Sequence, residues 1–291
     1  MRILNYGSLN IDHVYRVDHI VRPGETIGSD SYRRFCGGKG LNQSIALTRA
    51  GAEVWHAGKI GADGRFLKKR LSEDKVNVDF IEEVGVPTGH AVIQVDAGGE
   101  NAIVIHGGAN RAITRSDAGR VLRAFSPGDF LLMQNEISAT KHLLELAAAG
   151  ELKVAFNPAP FDPEVPNYPL EGVDLFILNE TEGRGMTGVT GAEAAAAALL
   201  RRFPDAAVIL TLGARGALYA DKSCTFQVPG QQVAAVDTTA AGDTFIGFFL
   251  ARYVKGLDVR DCMAMACQAA ALCVMRPGAA DAIPKLEEIN I

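Results

Sequence analysis

The chain has 291 residues, 48% apolar and 22% charged, with a formal net charge of −5. That length can bury a sizeable core, and the acidic balance argues against a nucleic-acid or membrane-surface partner. Five cysteines, at 36, 224, 262, 267 and 273, include no CxxC pair, which reads as reduced thiols rather than a metal or disulfide framework. No apolar run approaches the roughly 20 residues of a membrane span. The short apolar start in MRILNYGSLNID gives way to polar residues at once, unlike a secretory leader. The expected location is the cytoplasm.

In chain order, ILNYGSLN reads as a buried strand, and residues 12–35 as strands and turns without a helix. GLNQSIALTRAG is a helix ended by Gly51, AEVWHAGKIG a second strand, and GRFLKKRLSED an amphipathic helix. Within residues 88–106, HAVIQV and NAIVIH flank DAGGE as an antiparallel hairpin. DFLLMQNE, KVAFNPAP, DLFILNETE and AAVILTLG are further apolar runs, with helical segments near 138–149 and 191–203 between them. FIGFFLARYVKG is a buried helix, and Cys262, Cys267 and Cys273 fall as small core residues in an alanine-rich helix. Strands that are apolar throughout and spaced by helices predict an α/β fold, a mostly parallel sheet covered on both faces. The helix-free stretches 12–35 and 88–106 predict a small projecting sheet, all within a single domain spanning 1–291.

Ligands bind at the carboxyl ends of strands in such sheets. Here those ends carry polar groups: Ser8 to Asp12, Gln134-Asn135-Glu136, Asn157, Asn179 to Glu182, and Thr211 to Gly213. Two further segments carry chemistry. In DTTAAGDTFIG, the small residues Ala240, Ala241 and Gly242 precede Asp243 at the start of a helix. Amides in a first helical turn have no intrahelical acceptor and lie at the positive end of the dipole, so small residues there leave room for a phosphate. In CGGKGLNQS, Gly37, Gly38 and Gly40 free the backbone before a helix, while Lys39 and Asn42 offer polar groups to a ligand. The spacing fits neither a P-loop nor a dinucleotide fingerprint.

Together, GGKGLNQS and DTTAAGDTF resemble the two signatures of the ribokinase-type (PfkB) family of carbohydrate kinases, and NETE, TLGARGA and RPGA extend the likeness over nearly the whole chain. The resemblance implies a Rossmann-like body with a β-sheet lid over the sugar and a homodimer formed through that lid. It implies Asp243 as catalytic base, with the amides of Ala240, Ala241 and Gly242 as anion hole. Sugar binding would fall to Asn10, Asp12, Gly38, Lys39, Asn42, Glu136 and Asp243. Asn179 and Glu182 would serve ATP and Mg2+, the latter held through water by Glu182. Thr211, Gly213 and Gly242 would lie beside the nucleotide phosphates, and Gln268 near the adenine.

The same resemblance implies K+ bound by Asp237 and the carbonyls of Thr239, Cys273, Arg276 and Gly278. Ala282 stands where a serine usually completes that shell, with Asp281 next door or water as substitutes. The activity implied is ATP-dependent phosphorylation of a primary hydroxyl of a pentose, D-ribose first. Fructose, ketodeoxygluconate or an adenosine-like nucleoside are alternative acceptors on the same fold. A non-catalytic sugar- or nucleotide-binding regulator would be expected to lack Asp243 or a glycine of the cradle. A dinucleotide-dependent dehydrogenase would need a GxGxxG after the first strand, and none is present.

Overall fold

The computed structural model of the chain describes residues 1–289. It opens with β1 (Ile3–Tyr6), β2 (Asn10–Arg16), β3 (Ser31–Gly37), α1 (Lys39–Arg49), β4 (Val54–Ile60), α2 (Arg65–Glu73), β5 (Asn77–Glu83), β6 (Gly89–Val95) and β7 (Asn101–His106). The middle comprises α3 (Arg115–Leu122), β8 (Phe130–Gln134), α4 (Thr140–Ala149), β9 (Lys153–Asn157), β10 (Leu175–Asn179), α5 (Glu180–Thr187), α6 (Ala192–Arg202) and β11 (Ala207–Thr211). Last come β12 (Ala217–Ala220), β13 (Thr225–Val228), α7 (Ala241–Tyr253) and α8 (Val259–Val274).

The body is a nine-stranded sheet ordered β13-β12-β11-β10-β9-β8-β1-β4-β5. Pairings from β5 to β11 are parallel, and β12 and β13 add an antiparallel edge. The strand order turns at β1, whose neighbours are β4 and β8, so a crevice opens beyond its carboxyl end.

Side chains alternate between two apolar layers, which is why the central strands read as continuous apolar runs. Ile3, Phe130 and Leu132 face α1, α2, α7 and α8, whereas Leu4, Tyr6, Leu131 and Met133 face α3 to α6. Cys262, Cys267 and Cys273 are buried in the first layer as expected.

The smaller sheet, ordered β3-β2-β6-β7, begins two residues before the expected stretch at Asn10 and ends two after it at Gly37. β6 and β7 form the expected hairpin. β2 departs from the body immediately after β1, so the polar residues around Asn10 sit at the junction of the two sheets.

Helices α1 and α7 cross closely. A Cβ added to Gly247 would stand 2.8 Å from the backbone of Ala46 and Leu47, and 2.3 Å from the Ala46 Cβ. This contact fixes the distance between the starts of the two helices, where the candidate site lies. Gly247→Ala is therefore expected to destabilise the protein by about 1–3 kcal/mol, the usual cost of overpacking. A urea midpoint equal to wild type would show that the crossing yields at no cost.

Candidate active site

The helix tip foreseen in the sequence is open. α7 starts at Ala241, and its N-cap, Ala240, has a φ of 61° and makes no side-chain capping bond. A residue with a Cβ in this left-handed region costs roughly 1–2 kcal/mol, so its surroundings must hold it there. A left-handed residue followed by right-handed ones turns successive N–H groups towards one point, which suits an anion.

Gly242 is exposed, and a Cβ built on it meets nothing within 4 Å. Among the described residues, none beyond its immediate neighbours in the helix places an atom within 4 Å of that position. One amide of the expected trio is already engaged, because Ala241 N–H donates to the Thr238 carbonyl at 3.3 Å across the tight turn at Ala240.

Asp243 lies in the first turn of this helix and is buried. Its Oδ2 accepts from Asn42 Nδ2 at 3.0 Å and its Oδ1 from Gln43 Nε2 at 2.9 Å. Both donors belong to α1, which begins at Lys39 directly after the left-handed Gly38 (φ 95°). A Cβ on Gly38 would come within about 3 Å of the Ser8 and Asn10 backbone, so only glycine permits the approach.

A cleft of about 240 Å³ opens on this point, lined by Lys39, Asn179, Glu182, Thr211, Ala240, Ala241, Gly242 and Asp243, with Asn157 and Thr238 among the others. The sequence segments singled out above therefore converge. Of the residues expected to bind sugar and nucleotide, Asn10, Asp12, Gly38, Asn42, Glu136, Gly213 and Gln268 do not line it; Gly213 starts a short turn after β11, and Gln268 is half-buried on α8.

The charges around the cleft influence one another. The Lys39 ammonium is raised above the ordinary lysine value, first by the negative charge of Asp243 and also by Glu136 and Glu182. Glu136 accepts from the Lys39 amide at 3.2 Å and from the Ser8 hydroxyl. Burial pushes its carboxyl up, with Lys39 opposing. Asp12, on the lid strand β2, is pushed up to about 7 by burial, and the Glu136 charge adds to that effect. Asn10 accepts from Asn110 Nδ2 at 2.7 Å, and Asn110 also bonds the Leu9 backbone in both directions. Asn110 pins the junction from which Asn10 and Asp12 project; its only sequence signal is the GGAN that follows the hairpin.

Asn179 and Glu182 form a reciprocal capping box for α5. Asn179 N–H donates to Glu182 Oε2 at 2.9 Å, and Glu182 N–H donates to Asn179 Oδ1 at 2.8 Å. This local role explains their spacing, while Glu182, raised by burial, still faces the cleft. Glu180 points elsewhere and pairs with Arg215 at 2.6 Å.

Behind the helix tip, two loops run side by side. Val236 and Asp237 donate to the Val274 carbonyl, while Asp237 accepts from Thr239 N–H at 2.9 Å and from Gly278 N–H at 3.0 Å. The Cys273 thiol lies 3.8 Å from the Thr239 carbonyl, and the Cys273 carbonyl accepts from Arg276 N–H. Asp281, next to Ala282, has its Oδ1 paired with Arg70 at 2.5 Å.

Known proteins fit this description. The profile for pfkB family carbohydrate kinase matches residues 2–286, and the chain belongs to that family. Ribokinase from Staphylococcus aureus (strain COL) is 35% identical over 300 residues, covering 99% of this chain and 98% of its own. The structure of ribokinase from Cryptococcus neoformans var. grubii serotype A in complex with ADP has a TM-score of 0.87 at 34% identity, covering 99% of this chain and 98% of that one. Arabidopsis thaliana ribokinase complexed with ribose and ATP has a TM-score of 0.86 at 27% identity, covering 98% and 96%. The protein is a carbohydrate kinase, a phosphotransferase with an alcohol group as acceptor.

The raised Asp12 has a consequence for stability. Between its ordinary value of 3.8 and about 7, the folded protein keeps a proton that the unfolded chain has released, so stability falls as pH rises through that window. Asp12→Asn removes the penalty. The melting temperature of the ligand-free variant, relative to wild type, is expected to climb by at least about 2 °C between pH 5 and pH 8. A difference that stays constant over that range would contradict the assignment.

Proposed function

We propose that the protein is an ATP-dependent sugar kinase that transfers the γ-phosphoryl group to a primary hydroxyl of a pentose, with D-ribose the first candidate. The observation that carries this reading is a buried carboxylate, Asp243, fixed by two α1 amides beside an open helix tip. The ADP of one similar structure and the ribose and ATP of another support the choice of nucleotide and sugar.

In this reading, Asn10, Asp12, Gly38, Lys39, Asn42 and Glu136 bind the sugar. Carboxylates and amides suit a polyol, because a missing hydroxyl leaves a buried polar group unpaired. The acceptor oxygen attacks the γ-phosphorus, the bond to the bridging oxygen breaks, and ADP departs. Asp243 takes the hydroxyl proton late in the attack, when the oxygen has become acidic. The tip amides, chiefly those of Ala240 and Gly242, stabilise charge on the transferred group, which is where most of the catalysis in phosphoryl transfer lies.

Glu182 fits magnesium held through water, since each of its oxygens keeps a lone pair beyond the capping box. Bound there, the ion would neutralise triphosphate charge, with Asn179, Thr211 and Gly213 on the nucleotide side and Gln268 towards the adenine. The paired loops fit a monovalent cation, because Asp237 and the carbonyls of Thr239, Cys273, Arg276 and Gly278 offer oxygen alone. Water replaces the hydroxyl missing at Ala282. One lid face carries Val14, Phe35, Ile93, Ile103 and Ile105 on the same side as Asp12, with Ile103 and Ile105 exposed. That face, largely apolar on β6 and β7 and carrying Arg16 and Arg33 on β2 and β3, supports a homodimer formed through the lid.

ADP release measured across pentoses, hexoses and nucleosides, with and without potassium, tests the reading. It predicts turnover with a pentose, and Asp243→Asn is expected to lower kcat by about 10²- to 10⁴-fold, the range for a general base, while ATP still binds. Near-normal turnover in that variant would remove Asp243 from the chemistry.

A further inference from the structure

A chain of buried side chains leads from β4 to Asp243, and the directions of its hydrogen bonds are determined. Gln43 donates one Nε2 hydrogen to Asp243 Oδ1 at 2.9 Å and the other to Asn157 Oδ1 at 3.3 Å. Its own oxygen accepts from Gln134 Nε2 at 2.6 Å. Gln134 Nε2 also donates to Asn5 Oδ1 at 2.9 Å, and Asn5 Nδ2 donates to Ser44 Oγ at 2.9 Å. The Ser44 hydroxyl is then left for His56 Nδ1 at 2.8 Å. Burial pushes the His56 imidazole down to about 3, so the ring is neutral and can accept there.

Two backbone carbonyls fix the direction of the series. Asn5 Nδ2 also donates to the Gly40 carbonyl at 2.8 Å, and Asn157 Nδ2 donates to the Ile177 carbonyl at 2.9 Å. A carbonyl accepts only, so neither asparagine can turn over. Asn5 then fixes Gln134, Gln134 fixes Gln43 from one side, and Asn157 fixes it from the other. Reversing Gln43 would set oxygen against oxygen at both Asp243 and Asn157. The arrangement persists although Gln134 Oε1 is buried with no partner among the described residues. Packing alone gives no reason to retain a carboxamide there.

We infer that Gln43 is a positioning residue for Asp243, locked in one orientation by Gln134 and Asn157. It commits Oδ1 of the carboxylate to a permanent donor and, together with Asn42 on Oδ2, sets the rotation in which the carboxylate meets the acceptor hydroxyl. This rests on the reading of Asp243 as the base. It assigns a role to a residue that touches neither sugar nor nucleotide in that reading.

The test compares Gln43→Met, Gln43→Glu and Asp243→Asn in steady-state kinetics with D-ribose and ATP, alongside thermal melting. Gln43→Met is expected to lower kcat by about 10- to 100-fold, as for a lost hydrogen bond to a charged group, with both KM values within about threefold. Gln43→Glu keeps the shape but turns oxygen towards Asp243, and its kcat is expected to fall further. Wild-type kcat in Gln43→Met, or a raised KM at constant kcat, would overturn the inference. Should Gln43→Met fail to fold, Gln134→Met, which leaves Asp243 untouched, is read instead. There a loss in kcat alone supports the locked carboxamide, and an unchanged kcat overturns it. Full activity in Asp243→Asn would sink the base reading itself, whereas loss there beside an undiminished Gln43→Met would sink only the positioning role.

Discussion

A carboxylate buried at the first turn of a helix must be hydrogen-bonded, and the rest of the site follows from how Asp243 meets that demand. The dipole of α7 favours a negative charge at this position by roughly 0.3–1 kcal/mol, far less than the cost of taking an unpaired carboxylate out of water. The two side-chain amides of α1 make up the difference. They reach Asp243 only because Gly38 lets the start of α1 press against the backbone of Ser8 and Asn10 and because Gly247 lets α1 and α7 cross closely. Residues 38–43 and 240–247 therefore form one unit, although some 200 positions separate them in the chain.

The other half of the site is less satisfied. Asp12 and Glu136 are both pushed up by burial; the Glu136 charge raises Asp12 further, and the Asp243 charge adds to the effect on Glu136. Lys39 offsets part of this for Glu136. A ligand rich in hydroxyl groups would supply donors to both carboxylates, whereas an apolar one would leave them unpaired. The electrostatics of the lid junction thus suit a polyol, beside a helix tip that suits an anion.

Much of this was legible in the sequence. Strands with both faces covered are apolar throughout and stand out, and the hairpin of β6 and β7 announces itself by alternation around DAGGE. The edges of the sheet were not legible. β5 mixes polar and apolar residues because one flank is open, and β12 and β13 are only four residues each. α3 and α5 are eight residues long, too short for a clear period, and α5 begins immediately where β10 ends. The tip at Ala240 to Asp243 was visible because small residues before an acid have few structural reasons to occur together. Gln43 was not, since a glutamine inside a helical segment carries no sign of its partner. Its role exists only once β1, β8 and α7 are brought together.

The central claim is that the space in front of the α7 tip is reserved for a phosphoryl group. Gly242→Ala places a single methyl in that space, where it meets no protein atom within 4 Å. Alanine is also the better helix former. Melting temperature and kcat measured together on this variant give the most direct test. The account predicts an unchanged or higher melting temperature with kcat lowered on the order of 10²-fold, as for a lost oxyanion donor; wild-type kcat in a protein of equal stability would contradict it.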